Sequence, residues 1–372
     1  MTSRNRAAPR ALESRRRALY SLSVAASRGG AVEERGAKLA NPIVVEVTRG
    51  PLVESRHRGA GAVVDAGGAV VFSFGDVERP VYPRSAVKAL QALPLIESGA
   101  ADRLGLGDKE IALACASHSG EAAHVAGVAA MLGKAGADAG SLACGAHWPL
   151  GEKAARALAR SGAAPSALHN NCSGKHAGFL CLACASGWDS RGYETPSHPV
   201  QRAAKAAIAD LTGAALGEDV CGADGCSIPT YAVPLRALAH AFARFASGEG
   251  LAPARREAAR RIRAAVAAHP EMVAGEGRFD TEVMTLLGSR AFTKTGAEGV
   301  FCAALPAAGL GLAVKADDGA ARAAQVVIAA LIARFLPMSE PERARFATFA
   351  SPAVTNWNGL EVGRMRAAGA LG

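Results

Sequence analysis

The chain has 372 residues, of which half are apolar and a fifth are charged, a composition typical of a globular protein with a large core. No run of about 18 consecutive apolar residues occurs, so the sequence predicts no transmembrane helix and no membrane partner. The formal net charge is +9, but residues 1–40 carry nine basic against three acidic residues. The remaining 332 residues net only +3, a distribution that argues against a nucleic-acid partner.

The N-terminal segment, residues 1–41, is predicted to be a basic, disordered extension. Within it, Ser14–Leu19 contains three consecutive arginines, a feature of twin-arginine export signals, but the apolar stretch that follows is short. The eight cysteines of the chain do not form a dense disulfide pattern for this length, which favours reduced thiols. We therefore expect a cytoplasmic protein, with export as the lesser alternative.

The body of the chain opens with predicted antiparallel strands. Ile43–Val47 is rich in β-branched residues, and Gly61–Val64 and Ala69–Phe74 flank the turn-like sequence Asp65–Gly68. Two such segments around a Gly-containing turn are typical of a β-hairpin.

A mostly helical region is predicted next. Ser85–Ile96 has apolar residues at helical spacing, with Pro94 inside it, where proline should kink or shorten the helix. The Ala-rich region from Glu121 to about Leu211 is also helix-like. The pattern then changes to two strands and one amphipathic helix, predicted at Val300–Leu305, Leu310–Val314 and Ala320–Phe335.

Ser85 and Lys88 lie three residues apart, so on a helix both side chains project from one face. A serine hydroxyl becomes a nucleophile when a base removes its proton, and a neutral lysine can be that base. Because the reference pKa of lysine is about 10.4, this lysine needs burial or a second nearby cation to be neutral at pH 7. Lys294 is a candidate for that second cation. Taken alone, such a serine-lysine spacing is more often a surface pair on a helix.

The order of these two elements adds information. S-x-x-K near a helix start and K-T-G beside a strand are two of the three signatures of serine β-lactamases and penicillin-binding proteins, and Lys294-Thr295-Gly296 supplies the second. The third signature, S-D-N, is missing. Ser117 follows an apolar run and is a candidate for the missing hydroxyl, with a helix cap as the alternative.

A further cluster combines Asn171–His176 with Asp224–Cys226. As thiolates, Cys172 and Cys226 could bind zinc, but two cysteines fall short of a closed zinc site. A metal would need another ligand, such as a lysine, or water. Two ordinary buried cysteines are the simpler alternative.

Several motifs resemble those of one family, the Rhizobium etli-type (type II) L-asparaginases, whose fold is similar to that of serine β-lactamases and glutaminases. The resemblance covers about residues 42–358. The segments that carry it are Val45–Gly50, Val53–His57, Arg84–Lys88, Cys115–Ser119, Asn171–His176, Asp224–Cys226 and His269–Gly275.

The resemblance implies two serine-lysine sets, Ser85 with Lys88 and Ser117 with Lys294. It also implies a homodimer and a zinc ion beside the active site that tunes substrate affinity. The implied zinc ligands are Cys172, Lys175 and Cys226, and the residues implied to line the substrate pocket are Arg84, Asn171, His176 and Asp224.

We therefore predict an α+β fold of the serine β-lactamase/penicillin-binding-protein type, a mainly antiparallel sheet flanked by helices plus a largely helical lobe. The catalytic region is expected at residues 42–360, followed by a tail at 361–372. The sheet-containing lobe is assigned to residues 42–85 and 290–345, and the helical lobe to 86–289.

The predicted reaction is hydrolysis of L-asparagine to L-aspartate and ammonia, with Ser85 as nucleophile and a β-aspartyl ester as intermediate. The alternatives are a glutaminase, a penicillin-recognising acyl-serine hydrolase on the same scaffold, and a non-catalytic zinc-binding protein. The sequence does not separate asparagine from glutamine, because one methylene changes discrimination by only about 1–3 kcal/mol. Nor does it decide which serine attacks.

Overall fold

The β-branched and Gly-flanked segments form strands, as the sequence predicts, within a computed structural model that describes residues 40–372. Residues 1–39 of the predicted extension, with the twin-arginine motif, lie outside the described residues. The described strands are β1 (Ile43–Arg49), β2 (Leu52–Asp65), β3 (Val70–Phe74), β4 (Pro80–Val81), β5 (Cys221–Ala223), β6 (Pro229–Tyr231), β7 (Val233–Pro234), β8 (Phe292–Thr295), β9 (Val300–Leu305), β10 (Leu310–Ala316), β11 (Ala353–Thr355) and β12 (Glu361–Ala367).

One antiparallel sheet of eight strands organises the described residues. Its order is β11-β12-β1-β2-β10-β9-β8, with β3 paired to β2 off this path. The predicted hairpin at Asp65–Gly68 is confirmed, since Gly61 pairs with Phe74 and the Asp65 N–H donates to the Ala69 carbonyl at 3.0 Å. Short two-stranded sheets, β4 with β7 and β5 with β6, lie apart from the main sheet.

Helices are the main regular elements between β3 and β8, and again between β10 and β11. Apart from short 3-10 turns, they are α1 (Lys88–Gln91), α2 (Leu93–Glu97), α3 (Ala100–Arg103), α4 (Asp108–Ala114), α5 (Ala122–Lys134), α6 (Glu152–Arg160), α7 (Ser173–Ala185), α8 (Pro199–Thr212), α9 (Leu235–Ser247), α10 (Pro253–Ala268), α11 (Pro270–Val273), α12 (Phe279–Leu287), α13 (Ala321–Phe335) and α14 (Glu340–Ala350).

The predicted helix at Ser85–Ile96 is broken, as its proline indicates. It divides into a 3-10 turn, Arg84–Val87, followed by α1 and α2. Pro94 lies in the first turn of α2, where its missing N–H does not interrupt the hydrogen bonds of the helix. The break between α1 and α2 falls at Ala92, and both short helices bury their apolar side chains.

The centre of the sheet is covered on both faces. All six residues of β9 and six of the seven in β10 are buried, because α9 packs against one face of these strands and α13 against the other. A strand buried on both faces has a continuous apolar sequence rather than an alternating one. Accordingly, apolar side chains form one core on each side of the sheet.

The architecture is thus a mixed fold with an antiparallel sheet and helices, which confirms the predicted class at that level. Likeness to the serine β-lactamases stays a prediction. The segment 361–372, expected to be a tail, contains β12, which pairs with both β1 and β11. Among residues 40–372, no helix is both long enough and apolar enough to cross a bilayer.

Candidate functional site

Ser117 lies at the centre of a buried polar cluster. It follows α4, its N–H donates to the Val273 carbonyl at 2.9 Å, and it is only 3% exposed. Its Oγ accepts hydrogen bonds from Lys88 Nζ and from Lys294 Nζ, each at 2.9 Å. One hydroxyl therefore joins two lysines that are far apart in sequence, and the alternative of Ser117 as a helix cap is not what the fold uses.

Lys88 is completely buried at the start of α1. Its amine also donates to the Ala116 carbonyl at 2.5 Å and to the Asn171 carbonyl at 3.3 Å. Burial lowers the pKa of Lys88, and the charge of Lys175 adds to that shift, although Cys172 opposes it. The side chain is thus held in one orientation, with its neutral form favoured by the interior.

Lys294 is the second completely buried lysine, on strand β8. Its amine donates to its own neighbour, the Thr295 carbonyl, at 2.9 Å, as well as to Ser117. Burial lowers the pKa of Lys294 to about 7, with a further lowering from Lys88 and an opposing effect from Asp280. Lys294 can therefore accept or release a proton near neutral pH.

The glycine of Lys294-Thr295-Gly296 fixes the distance between β8 and the segment that carries Ser85. A Cβ at position 296 would lie 2.8 Å from the Pro83 carbonyl oxygen, closer than real Cβ atoms approach. Only glycine allows this contact without a shift of the backbone. The contact places the 3-10 turn that contains Ser85 against the end of β8.

Ser85 is half-buried, in contrast to Ser117. Within residues 40–372, the Ser85 hydroxyl forms no hydrogen bond with another residue. The preceding residue, Arg84, has a φ of +51°, a left-handed backbone conformation that is uncommon for residues other than glycine. Of the two predicted serine-lysine sets, the structure joins Ser117 with Lys294 directly, whereas Lys88 contacts Ser117 rather than Ser85.

An ion pair lies beside this turn. Arg84 Nε donates to Asp224 Oδ1 at 2.7 Å, and the Gly225 N–H donates to the same oxygen at 2.6 Å. Burial raises the pKa of Asp224, but Lys175 and Arg84 outweigh it and hold the pKa below its usual value. These two predicted pocket residues are therefore brought together with their charges intact.

The other two predicted pocket residues are on or near α7. His176 is completely buried, its Nδ1 lies 2.6 Å from the Tyr193 hydroxyl, and its Nε2 has no hydrogen-bond partner within residues 40–372. Burial lowers the pKa of His176 well below its usual value, so the ring is neutral at pH 7. The N–H of Asn171 donates to His147 Nε2 at 3.0 Å.

The predicted zinc ligands also converge. Lys175 Nζ donates to Cys226 Sγ at 3.0 Å, and the Cys172 and Cys226 thiols lie near each other. The interaction of the two thiols lowers the pKa of Cys172, whereas it and burial raise the pKa of Cys226. Burial lowers the pKa of Lys175, but Cys226 and Cys172 reverse this, and the net shift is upward. The pattern favours one thiolate neutralised by one ammonium.

In the described region, no group of three or more His, Cys, Asp or Glu side chains is arranged to hold a metal ion. The predicted set has only two such residues plus a lysine amine. It lies next to the serine-lysine cluster, because Lys88 Nζ donates to the carbonyl of Asn171, the residue before Cys172, and the charge of Lys88 lowers the pKa of Cys172. The two buried clusters therefore adjoin each other.

Comparison with protein-family models assigns the chain. The model for L-asparaginase II matches residues 45–367, most of the chain. The chain belongs to the L-asparaginase II family. Membership implies an amidohydrolase of the asparaginase type, which acts on a small-molecule substrate. No curated protein is significantly similar to the chain.

This L-asparaginase II site includes residues that sequence reasoning missed. Tyr193 contacts His176, Arg278 donates to Ser119 Oγ at 3.3 Å, and Asp280 is buried near Lys294. Arg278 and Asp280 lie three and five residues after the motif that ends at Gly275, and two charges at the start of an apolar helix were the available signal. Tyr193 lies in a polar loop without any pattern that distinguishes it.

Proposed function

We propose that the protein is an L-asparaginase that hydrolyses L-asparagine to L-aspartate and ammonia through a serine nucleophile activated by lysine. The observation that carries the proposal is the Ser117 hydroxyl, which accepts a hydrogen bond at 2.9 Å from each of two buried lysine amines. One of these lysines, Lys88, lies three residues after the half-buried Ser85. A lysine with a pKa of about 7 can exchange protons at neutral pH, which acyl transfer through serine requires. Family membership supports the substrate class.

In the proposed first step, Ser85 Oγ attacks the side-chain amide carbon of asparagine while Lys88 accepts its proton. The resulting tetrahedral intermediate collapses, the C–N bond breaks, and the departing nitrogen takes the proton from Lys88 and leaves as ammonia. Water then attacks the β-aspartyl ester and gives up a proton to the lysine network. The C–O bond to Ser85 breaks, Ser85 Oγ takes back that proton, and aspartate leaves. Ser117 passes protons between Lys88 and Lys294, since its hydroxyl contacts both amines.

The nucleophile is assigned to Ser85 because of its surroundings. Its side chain is half-buried and free of hydrogen bonds to the described residues, whereas Ser117 is buried and already engaged by two amines. The Arg84–Asp224 pair next to Ser85 offers one positive and one negative group. These charges complement the α-carboxylate and α-ammonium groups of an amino-acid substrate.

The test is ammonia release from L-asparagine and L-glutamine by wild type, Ser85→Ala and Ser117→Ala. We expect asparagine-selective release, abolished by Ser85→Ala, and a trapped β-aspartyl ester on the peptide that contains residue 85. An ester on the peptide that contains residue 117 would exchange the roles of the two serines. No release from either amide by folded wild-type protein would overturn the proposal.

We also propose that Cys172, Lys175 and Cys226 hold a zinc ion. The donor set fits, because the two thiols lie near each other and the amine is 3.0 Å from one of them. Thiolates suit zinc, and the lysine would have to lose its proton on binding, so affinity should fall below neutral pH. When bound, the metal would supply positive charge that attracts an anionic substrate group.

Zinc content, measured on protein dialysed against zinc at pH 8 and at pH 6, tests this site independently of activity. We expect about one zinc per chain at the higher pH, less at the lower pH, and none in Cys226→Ser. Equal zinc content in wild type and Cys226→Ser would contradict the assignment. Cys184→Ser is the matched control, because Cys184 is exposed on α7 and outside the cluster.

A further inference from the structure

Asp280 is a buried acid near Lys294 to which the proposed mechanism gives no role. It lies in the first turn of α12, is 2% exposed, and its Oδ2 accepts the Thr295 N–H at 3.2 Å. Its other oxygen, Oδ1, is buried and has no hydrogen-bond partner anywhere in residues 40–372. A buried carboxylate with an unpaired oxygen is costly unless a positive charge lies near it.

Lys294 supplies that charge. Asp280 is hydrogen-bonded to the residue that follows Lys294 on β8, and it is the acid whose charge acts most on the Lys294 amine. Other groups face the amine from every side. They are Lys88 from α1, Arg278 before α12, Cys172 before α7, Cys115 after α4 and the cross-strand partner Cys302 on β9.

Arg278 is cationic, and Lys88 carries a positive charge whenever it is protonated; both effects lower the pKa of Lys294. Without a negative charge nearby, uptake of a proton by Lys294 would be opposed by burial, by Arg278 and by any proton on Lys88. Asp280 is the one carboxylate among these groups. Its place in the first turn of a helix also suits a negative charge, because the N-terminal end of a helix is the positive end of its dipole.

We propose that Asp280 is a positioning residue for Lys294, holding the amine toward Ser117 and providing the counter-charge when Lys294 takes up a proton during catalysis. The catalytic part of this inference rests on the proposed function. The electrostatic part does not, since it concerns two buried side chains in the resting protein. Asp280 itself does not touch the reacting atoms.

The first test is the pH profile of kcat/KM for asparagine in wild type, Asp280→Asn, Asp280→Glu and Thr293→Val. In Asp280→Asn we expect the acidic limb to move to lower pH by about one unit or more and the maximum to fall about tenfold or more, because the lysine loses its counter-charge. Asp280→Glu should return the acidic limb of the pH profile toward its wild-type position. Thr293→Val is the matched control, since Thr293 is a buried neighbour of Lys294 whose hydroxyl lacks a partner within the described residues.

The second test needs neither activity nor a folded variant. The ε-carbon of Lys294, followed by NMR in wild type, should titrate with a midpoint near pH 7, and the carboxyl-carbon resonance of Asp280 should shift over the same pH range because the charge beside it changes. An Asp280 resonance that shows no inflection where Lys294 titrates would overturn the inference, as would an unmoved acidic limb in a folded Asp280→Asn. Failure of the proposed function can be told apart from failure of this inference. In the first case wild type would release no ammonia, while the NMR titration would still show whether Asp280 and Lys294 interact.

Discussion

Lys294 is completely buried, and its lowered pKa makes activity depend on pH. Since its pKa is about 7, it is mostly protonated below that pH and mostly neutral above it. A group that must accept a proton works only in its neutral form. We therefore expect kcat/KM for asparagine to rise with pH through about 7 and to reach a plateau above it, measured by ammonia release. Lys294→Met should lose activity by about 10²–10⁴-fold and lack this limb.

The same residue makes stability depend on pH in a predictable direction. The pKa of Lys294 is about 7 in the folded chain, against 10.5 as its ordinary value. Between these two values the unfolded chain binds more protons, so the free energy of unfolding should increase with pH across this window. Chemical denaturation of wild type and Lys294→Met checks this, and the expected increase should be smaller in the variant. Equal pH dependence in both proteins would contradict a depressed pKa.

Asp224 provides a test of substrate binding. It is mostly buried and paired with Arg84 at 2.7 Å, beside Ser85. Because Asp224→Asn removes its negative charge and keeps its shape, we expect KM for asparagine to rise about tenfold or more with a smaller change in kcat. Steady-state kinetics checks this. Asp189→Asn is the control, since Asp189 forms an exposed ion pair with Arg191, and it should leave KM unchanged.

The sequence predicts a site residue when it lies in a short motif, but it does not predict contacts that depend on how distant elements pack. Ser85, Lys88, Ser117 and Lys294 are found from spacing and resemblance, because each lies in a short motif. The contact between Lys88 and Ser117 is not found this way, since it depends on how α1 packs against the end of α4. Asp280 looks in sequence like an ordinary acid at a helix start, and its burial arises only from the contact of α12 with β8.

At the scale of elements, one close contact fixes the position of α9 on the sheet. A Cβ at position 311, in β10, would lie 2.0 Å from the Ala239 carbonyl oxygen and 2.2 Å from the Ala243 nitrogen, both in α9. No movement of a flexible side chain can relieve this, because both atoms belong to the backbone. Gly311→Ala should therefore force the helix off the strand.

We expect Gly311→Ala to lower the free energy of unfolding by about 1–3 kcal/mol or more, measured by denaturant titration. Gly133→Ala is the matched control. A Cβ at position 133, in α5, has no heavy atom within 4 Å, so alanine should stabilise the helix by a few tenths to about 1 kcal/mol. Unchanged stability in Gly311→Ala would show that α9 can move away from β10 at little cost.

Elements were easier to predict than their partners. The hairpin around Asp65–Gly68 and the helix break at Ala92, two residues before Pro94, are local, because turn chemistry and a missing N–H act within a few residues. The strand β12 was not predicted. In its sequence, Glu361–Ala367, five of the seven residues are charged or small, so the apolar alternation of a half-buried strand is missing. The strand forms because its backbone pairs with β1.

At the scale of the whole molecule, we propose a homodimer. Exposed apolar side chains gather at one end of the sheet, where the Gly50 N–H donates to the Val362 carbonyl at 2.8 Å. They are Leu52, Trp357 and Leu360. Exposed groups of this kind are typical of interaction surfaces.

Sedimentation of the full chain checks this proposal. We expect wild type to sediment as a dimer and Trp357→Ser to dissociate at a protein concentration about tenfold higher or more. Trp188→Ser is the control, since Trp188 is also exposed but belongs to a different part of the surface, after α7. A monomeric wild type, or a dimer unaffected by Trp357→Ser, would contradict this surface as the interface.

The pairing of β1 with both β2 and β12 has a consequence for how the chain is made. Val45 pairs with His57 on one side and with Ala367 on the other, so one of the earliest strands to be synthesised has a partner more than 300 residues later. During translation, the β12 side of β1 must remain open until almost all of the described chain has left the ribosome. A chaperone or a transient partner that covers this edge would protect the nascent protein from pairing with its neighbours.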